Sequence, residues 1–281
     1  MQVVNTVEKL QHQISEAKKS GLKIGFVPTM GALHEGHLTL VKKAANESDI
    51  VVVSIFVNPT QFNNSKDLER YPRDLETDLE ALSTVKCDYI FAPAVDEVYP
   101  EEDDRQFNFG DLETVMEGKF RPGHFNGVAQ VVSRLFDMVT PDKAFFGLKD
   151  FQQLAIIRAM TKQLSMPVEI VPCDIVREKD GLAMSSRNML LSEAQRKNAP
   201  LIARTLVESC NFVADTSVQG VKKQVEDAIN ADTELEVEYF EIVDGYTLQA
   251  VDNWDESNYI VGCIAVFAGE IRLIDNVTYK L

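Results

Sequence analysis

Two histidines three residues apart follow a short apolar stretch near the start of the chain, in the string PTMGALHEGH at residues 28–37. On a helix, His34 and His37 would share one face of the first turn. A helix start offers unpaired backbone N–H groups and about half a positive charge, both of which favour a phosphate. Imidazoles placed there could donate hydrogen bonds to a phosphate whose negative charge grows during a displacement. The string therefore predicts a phosphate-binding catalytic site.

A metal site and a purely structural role are the alternatives for these histidines. Histidines at this spacing can chelate zinc, but the zinc-protease motif has two residues between its glutamate and its second histidine. This chain has one residue between Glu35 and His37, and the sequence offers no evident third ligand. Two of only four histidines lie here beside Gly31 and Gly36, whose missing side chains let a ligand approach the backbone. This concentration favours function over a role as core or capping residues.

Amide side chains follow a second apolar stretch, residues 50–57. Asn58 and Gln61 could both donate to and accept from a small substrate that has hydroxyls and a carboxylate. Turn formation before Pro59 explains Asn58 equally well.

Two later segments also offer groups for a phosphate. Lys149 follows the apolar stretch 143–147 and could neutralise a phosphate, although a lysine on a surface loop is the simpler interpretation. Residues 184–187, MSSR, supply two hydroxyls and a guanidinium. A serine-rich turn that caps the next helix is an equal alternative for them.

The elements that would position these residues alternate between strand and helix. Strands that are apolar on both faces are typical of parallel sheets covered by helices. The sequence therefore predicts an α/β fold with a doubly wound parallel sheet, which binds ligands at the carboxyl ends of its strands. Predicted strands lie at 23–29, 50–57, 88–92, 143–147 and 168–172, and predicted helices at 34–48, 72–86, 126–139 and 150–165.

The pattern changes after about residue 176, near a turn dipeptide at 180–181. Two helical stretches are followed by two alternating stretches, which predicts a smaller α+β domain. These stretches lie at 192–210, 218–230, 235–243 and 259–268. We therefore expect one domain at 1–176 and a second at 177–281.

Composition and charge exclude several classes of protein. The 281 residues include 28 Lys and Arg against 44 Asp and Glu, a net charge of −16, so no basic surface for nucleic acid or an anionic membrane is expected. The longest apolar run is far shorter than the roughly 20 residues of a membrane span, and no basic-then-apolar leader is evident. The four cysteines are widely separated, which is typical of buried thiols in a reducing compartment and indicates a cytoplasmic protein.

Five strings together resemble those of a known family. The HxGH string alone is similar to that of the nucleotidylyl-transferase superfamily. In order and spacing, the whole set is similar to that of the pantoate–β-alanine ligases, the pantothenate synthetase family. The strings are VPTMGALHEGH at 27–37, FVNPTQF at 56–62, RPGHFNGV at 121–128, GLKDFQQ at 147–153 and REKDGLAMSSRN at 177–188.

The resemblance implies an ATP-dependent ligase of small molecules. Its Rossmann-like domain, 1–176, would bind ATP and pantoate, and the α+β domain, 177–281, would close over the nucleotide. (R)-Pantoate would attack the α-phosphate of ATP to form pantoyl adenylate and pyrophosphate. The amine of β-alanine would then displace AMP, giving pantothenate. Mg²⁺ would accompany ATP, and the enzyme would be a cytoplasmic homodimer.

The resemblance also implies residue roles. His34, His37 and Lys149 would be catalytic. Pantoate would be held by Gln61, Gln153 and Asn58, with Gln61 also binding β-alanine, and Asp78 is a candidate ligand for magnesium. The implied ATP contacts are Met30, Gly31, Ala32, Leu33, His34, Glu35, Gly36, His37, Gly147, Leu148, Lys149, Asp150, Val176, Met184, Ser185, Ser186 and Arg187.

Some positions and two alternatives stay open. Arg121 and His124 lie in the RPGHF string without a defined role, and His124 could simply pack. Leu148 replaces a glutamate common in the family, with little expected effect. The polar stretch 63–78 is expected to form a lid, or a plain surface loop. The first alternative is a transferase of the same fold that leaves the nucleotide on its product; Gln61, Gln153 and the RPGHF string argue against it. The second is a non-catalytic nucleotide-binding module that regulates a partner; the intact catalytic set argues against it.

Overall fold

The computed structural model describes residues 1–61, 68–69, 71 and 73–281. They form two compact units. The first unit contains Met1–Phe109, Arg121–Leu148 and Gln153–Asp174, and the second contains Gly110–Phe120, Lys149–Gln152 and Ile175–Leu281. Two short segments from the N-terminal part of the chain thus belong to the second unit. None of the helices in the described ranges has the length and apolar character needed to span a membrane.

The first unit contains a six-stranded parallel sheet in the order β1-β4-β3-β2-β5-β6. The sequence of β3 is apolar except for Ser54 because the strand lies inside the sheet: Val51, Val52 and Val53 are all fully buried. A strand with both faces covered needs no polar alternation. The predicted doubly wound parallel sheet is confirmed. The strands are β1 (Gln2–Val4), β2 (Ile24–Thr29), β3 (Ile50–Ile55), β4 (Tyr89–Phe91), β5 (Lys143–Gly147) and β6 (Glu169–Cys173).

Helices connect the strands of this sheet, and other helices belong to the second unit. Over the described residues they are α1 (Val7–Lys19), α2 (Glu35–Glu47), α3 (Leu75–Ser83), α4 (Val95–Val98), α5 (Met116–Phe120), α6 (His124–Val139), α7 (Phe151–Gln163), α8 (Glu193–Asn198), α9 (Pro200–Ser209) and α10 (Val218–Asn230). The first unit's core includes Val27, Leu38 and Val41, which places the apolar face of α2 against β2 and its neighbours.

The second unit contains a three-stranded antiparallel sheet in the order β7-β8-β9. Its strands are β7 (Leu235–Asp244), β8 (Ile260–Ala268) and β9 (Ile271–Lys280). Leu206 of α9 and Val221 of α10 belong to the same apolar core as Phe240 and Ile264 of the sheet. The predicted smaller α+β part of the fold is confirmed.

Several elements differ from the sequence prediction. β1, α1 and β9 were not predicted; β1 is only three residues long, and α1 buries only Leu10, Ile14 and Ala17. The single helix expected at 192–210 is two helices, because Pro200 occupies the first turn of α9 and lacks the N–H that a continuous helix would need. Residues 63–67, 70 and 72 of the predicted lid lie outside the described residues.

Candidate active site

A sharp turn joins β2 to α2 at the carboxyl end of the sheet. The Thr29 hydroxyl donates to the Ser54 carbonyl at 2.6 Å and accepts from the Gly31 N–H at 3.2 Å. Gly31 has φ +80° and Ala32 has φ +50°. Glycine adopts such a backbone readily, whereas alanine is strained there. The turn therefore depends on glycine at position 31 and on contacts that hold Ala32.

Asp78 of α3 supplies those contacts. Its Oδ2 accepts from the Ala32 N–H at 3.1 Å and its Oδ1 accepts from the Leu33 N–H at 2.7 Å. The side chain is buried, with 2% exposure. Burial raises the pKa of Asp78 above its ordinary value, and the two backbone hydrogen bonds oppose this shift.

These contacts give Asp78 a structural role beside its predicted role as a magnesium ligand. Both of its oxygens already bind the backbone, and the described ranges contain no cluster of three or more His, Cys, Asp or Glu side chains suited to a metal. The role of Asp78 as a magnesium ligand therefore stays a prediction. Magnesium that entered with a triphosphate would have phosphate and water oxygens as ligands.

His34 and His37 cap the helix α2 reciprocally. His34 Nδ1 accepts from the Gly36 N–H at 3.1 Å, and His37 Nδ1 accepts from the His34 N–H at 3.3 Å. The two ring centroids lie 4.1 Å apart. Because each Nδ1 uses its lone pair as an acceptor, the ring hydrogen of each neutral imidazole belongs on Nε2. Both Nε2 atoms are thereby assigned as donors, so the observed capping role is compatible with the predicted chemical one.

Asn58 is enclosed by protein contacts beside this turn. Its exposure is 1%, and its Nδ2 donates to Gln61 Oε1 and to the Gly127 carbonyl, both at 3.2 Å. Its Oδ1 accepts from the Tyr99 hydroxyl at 2.9 Å. The geometry supports the turn-forming alternative for Asn58 and gives its amide a second task, the orientation of Gln61.

Gln61 lies next to the turn that bears the histidines. Its Nε2 is 3.1 Å from Met30 Sδ, and its Oε1 is taken by Asn58, so Nε2 is the donor that it can present. Its backbone carbonyl lies 3.0 Å from His124 Nδ1, and His124 is buried. A Cβ at Gly127 would lie 2.6 Å from the Thr60 carbonyl oxygen. Glycine at 127 thus allows α6 to approach the segment that carries Gln61.

Sequence reasoning missed Tyr99 and the backbone contacts of Asp78. Tyr99 lies just after the short helix α4, 41 residues from Asn58, and no local pattern marks it. Burial raises the pKa of its hydroxyl, which keeps the donor protonated. Among the other predicted residues of the first unit, Gly147 ends β5, which pairs with β2, and Gln153 is half-buried on α7.

Of the remaining predicted ATP contacts, Leu148 follows β5 in the first unit, and the others belong to the second unit. The Lys149 carbonyl accepts from Asn276 Nδ2 of β9 at 3.1 Å. The Met184 N–H donates to the Val176 carbonyl at 2.9 Å. Ser185 Oγ accepts from the Arg187 N–H at 3.2 Å and so caps the short turn Ser186–Leu190. The capping alternative for this serine is therefore observed, and its ATP contact stays a prediction.

The parallel sheet, with two histidines after its strand β2, defines an α/β protein of the class that binds ligands at the carboxyl ends of its strands. The chain belongs to the pantoate–β-alanine ligase family of enzymes, since the family described as pantoate-beta-alanine ligase matches residues 2–278. The resemblance stated from the five strings is thereby confirmed.

Individual relatives agree with this assignment. A curated protein named pantothenate synthetase from Bacteroides fragilis (strain YCH46) is 57% identical over 280 residues, which cover 100% of this chain and 99% of the relative. The crystal structure of pantothenate synthetase from Thermus thermophilus is similar with a TM-score of 0.92 and 43% identity, covering 100% of both chains. A pantoate-beta-alanine ligase from Francisella tularensis, complexed with beta-gamma ATP and beta-alanine, has a TM-score of 0.83 and 32% identity, covering 99% of this chain and 98% of that chain.

Proposed function

We propose that this enzyme condenses (R)-pantoate with β-alanine in two steps that consume ATP. In the first, a pantoate carboxylate oxygen bonds to the α-phosphorus, and the bond from that phosphorus to the bridging oxygen breaks, releasing pyrophosphate. In the second, the β-alanine nitrogen bonds to the activated carbonyl carbon, the carbon–oxygen bond to AMP breaks, and the nitrogen loses a proton. Family membership and the Francisella tularensis complex with beta-gamma ATP and beta-alanine support these substrates.

The observation that carries the mechanism is the reciprocal cap of His34 and His37. Since both Nδ1 atoms accept backbone hydrogen bonds, both Nε2–H groups can donate to non-bridging oxygens of the α-phosphate. Negative charge grows on those oxygens as the displacement proceeds. A preorganised donor aimed at such charge contributes on the order of 10²–10³ in rate. The N-terminal dipole of α2 adds to the same field.

The amide of Gln61 would orient pantoate. Its Oε1 accepts from Asn58, so its Nε2 would donate to an acceptor of the substrate, either a carboxylate or a hydroxyl oxygen. We assign Asn58 to the orientation of Gln61 rather than to direct contact with pantoate. A site that hydrogen-bonds a substrate hydroxyl strongly rejects analogues that lack it. Gln153 as a second pantoate contact, and Gln61 as a contact of β-alanine, stay predictions.

The contributions of the second unit also stay predictions. Lys149 would neutralise phosphate charge, and the serines and arginine of residues 184–187 would contact the outer phosphates. Mg²⁺ as the ion that accompanies ATP also stays a prediction. The homodimer, the cytoplasmic location and closure of the second unit over the nucleotide are expectations from the family resemblance alone.

The test is product release from purified protein with ATP, magnesium and D-pantoate, with and without β-alanine. We expect pyrophosphate with pantoate alone, at no more than one equivalent per active site, and sustained AMP release once β-alanine is added. Pyrophosphate without free AMP in the presence of β-alanine would instead indicate a transferase that keeps the nucleotide on its product. No pyrophosphate under either condition would refute the ligase.

A further inference from the structure

We propose that Asp78 is a positioning residue that holds the histidine-bearing turn in its working shape, and that it is not a metal ligand. This inference rests on the proposed function, since the turn matters through His34 and His37. The buried Asp78 carboxylate accepts hydrogen bonds from two consecutive backbone N–H groups, those of Ala32 and Leu33, at 3.1 and 2.7 Å.

The turn and the carboxylate are matched to each other. A Cβ at Gly31 would lie 2.7 Å from Asp78 Oδ2, so only glycine at that position lets the carboxylate come this close. The next residue, Ala32, has φ +50°, a conformation that alanine avoids when nothing restrains it. Hydrogen bonds from N–H groups to a carboxylate are stronger than those between neutral groups. The carboxylate therefore stabilises a backbone shape that the local sequence disfavours.

The position of Asp78 is itself determined by the start of α3. Asp74 caps this helix, and its carboxylate accepts from the N–H of Thr77 at 3.1 Å and from its hydroxyl at 2.8 Å. Asp78 follows in the first turn and is buried, whereas Asp74 is exposed. The same helix thus presents one carboxylate to its own N-terminus and another to the turn after β2.

The turn that Asp78 holds leads directly into the catalytic histidines. Leu33 immediately precedes His34, whose N–H and Nδ1 both take part in the reciprocal cap. Release of the turn would displace the start of α2 and with it both Nε2 donors. A misplacement of about 1 Å can cost on the order of 10²-fold in rate. Asp78 would act on the chemistry through these histidines and without contact to the substrate.

The decisive variant is Asp78→Asn, which keeps the size of the side chain but places an NH₂ group against one of the two N–H donors. We expect kcat for pyrophosphate formation to fall about 10–100-fold, with little change in the KM for pantoate. The magnesium concentration at half-maximal rate should not change. The amides of Ala32 and Leu33 should exchange hydrogen faster than in the wild type. Asp74→Asn is the matched control, because asparagine is an equally good cap and the charge change on α3 is the same; its kinetics should be those of the wild type.

Three results would overturn the proposal. Recovery of Asp78→Asn at high magnesium would identify Asp78 as a metal ligand. Kinetics like those of the wild type would mean that the turn does not position the catalytic donors. Unchanged exchange at Ala32 and Leu33 would show that Asp78 does not hold the turn. The exchange measurement does not require turnover, so it still decides the last point if the wild-type protein forms no pyrophosphate and the proposed function itself fails. Asp78→Glu, which keeps the charge but lengthens the side chain, should show the same defect and provides a second variant if the first folds poorly.

Discussion

The capping and catalytic contributions of His34 can be separated, because asparagine can replace the cap but not the Nε2 donor. In His34→Asn the side-chain oxygen can still accept from the Gly36 N–H, and asparagine is among the best helix caps. In His34→Ala both the cap and the donor are lost. We expect the two variants to be equally poor catalysts and to differ only in the stability of the first turn of α2.

The expected magnitudes differ enough to be resolved. Loss of one donor to the developing charge should lower kcat on the order of 10²–10³-fold, or about 2.7–4 kcal/mol. Loss of a cap costs about 1 kcal/mol, which corresponds to a roughly fivefold change in a local opening equilibrium. The Gly36 amide, whose acceptor is His34 Nδ1 at 3.1 Å, should therefore exchange about fivefold faster in the alanine variant alone.

Single-turnover release of pyrophosphate at saturating ATP and pantoate measures the loss of catalysis. Hydrogen exchange at the Gly36 amide measures the loss of the helix cap. His12→Asn is the control for the substitution itself, since His12 is exposed on α1. If His34→Asn keeps a kcat within about twofold of the wild type, far less than one lost donor would cost, the reasoning fails and His34 is a cap only.

Three further predictions concern the surroundings of the site and the stability of each unit. Tyr99→Phe removes the donor to Asn58, and steady-state kinetics should show the KM for pantoate rising about tenfold with the KM for ATP unchanged. Hydrogen bonds from the Arg105 guanidinium, assisted by Arg134, lower the pKa of Asp103 well below its usual range. This carboxylate therefore stabilises the first unit above about pH 4 and loses that contribution as the pH falls further. In Asp103→Asn the free energy of unfolding, measured with urea, should fall less steeply below about pH 4 than in the wild type. Arg272→Met strands the buried carboxylate of Glu117, which Arg272 contacts at 2.6 and 2.8 Å, and also removes the partner of Glu238 at 2.6 Å. It should destabilise the second unit by about 3–5 kcal/mol, measured by fluorescence of the single tryptophan.

Each of these has its own contrary result. An equal rise in both KM values in Tyr99→Phe would indicate general damage rather than loss of orientation at the pantoate amide. If the free energy of unfolding falls as steeply with decreasing pH in Asp103→Asn as in the wild type, other carboxylates account for the loss of stability in acid. The double change Arg272→Met and Glu117→Gln should recover part of the lost stability, because the more buried of the two stranded charges is removed. No recovery would mean that packing, and not charge, accounts for the loss.

The sequence was most informative where local pattern and tertiary environment agree. The run 50–57 predicted a strand buried on both faces, and β3 is such a strand. The string at 28–37 predicted a helix start with two histidines on one face, and α2 begins at Glu35 with both histidines in its cap. β1 is too short for a periodic signal, and the break between α8 and α9 depends on a single proline.

Residue types and their order along the chain therefore determined the parallel sheet, the strand end that bears the site and the family. Only the tertiary structure decided what each polar group faces. Asp78 and Leu33 are 45 residues apart, and Tyr99 and Asn58 are 41 apart, so neither contact leaves a trace in helical or strand periodicity. The assignment of Nε2 as the donor of each histidine likewise depends on the backbone N–H from which its Nδ1 accepts a hydrogen bond. Hydrogen bonding is directional and short-ranged, and its partners are defined only once the chain has brought distant residues within about 3 Å.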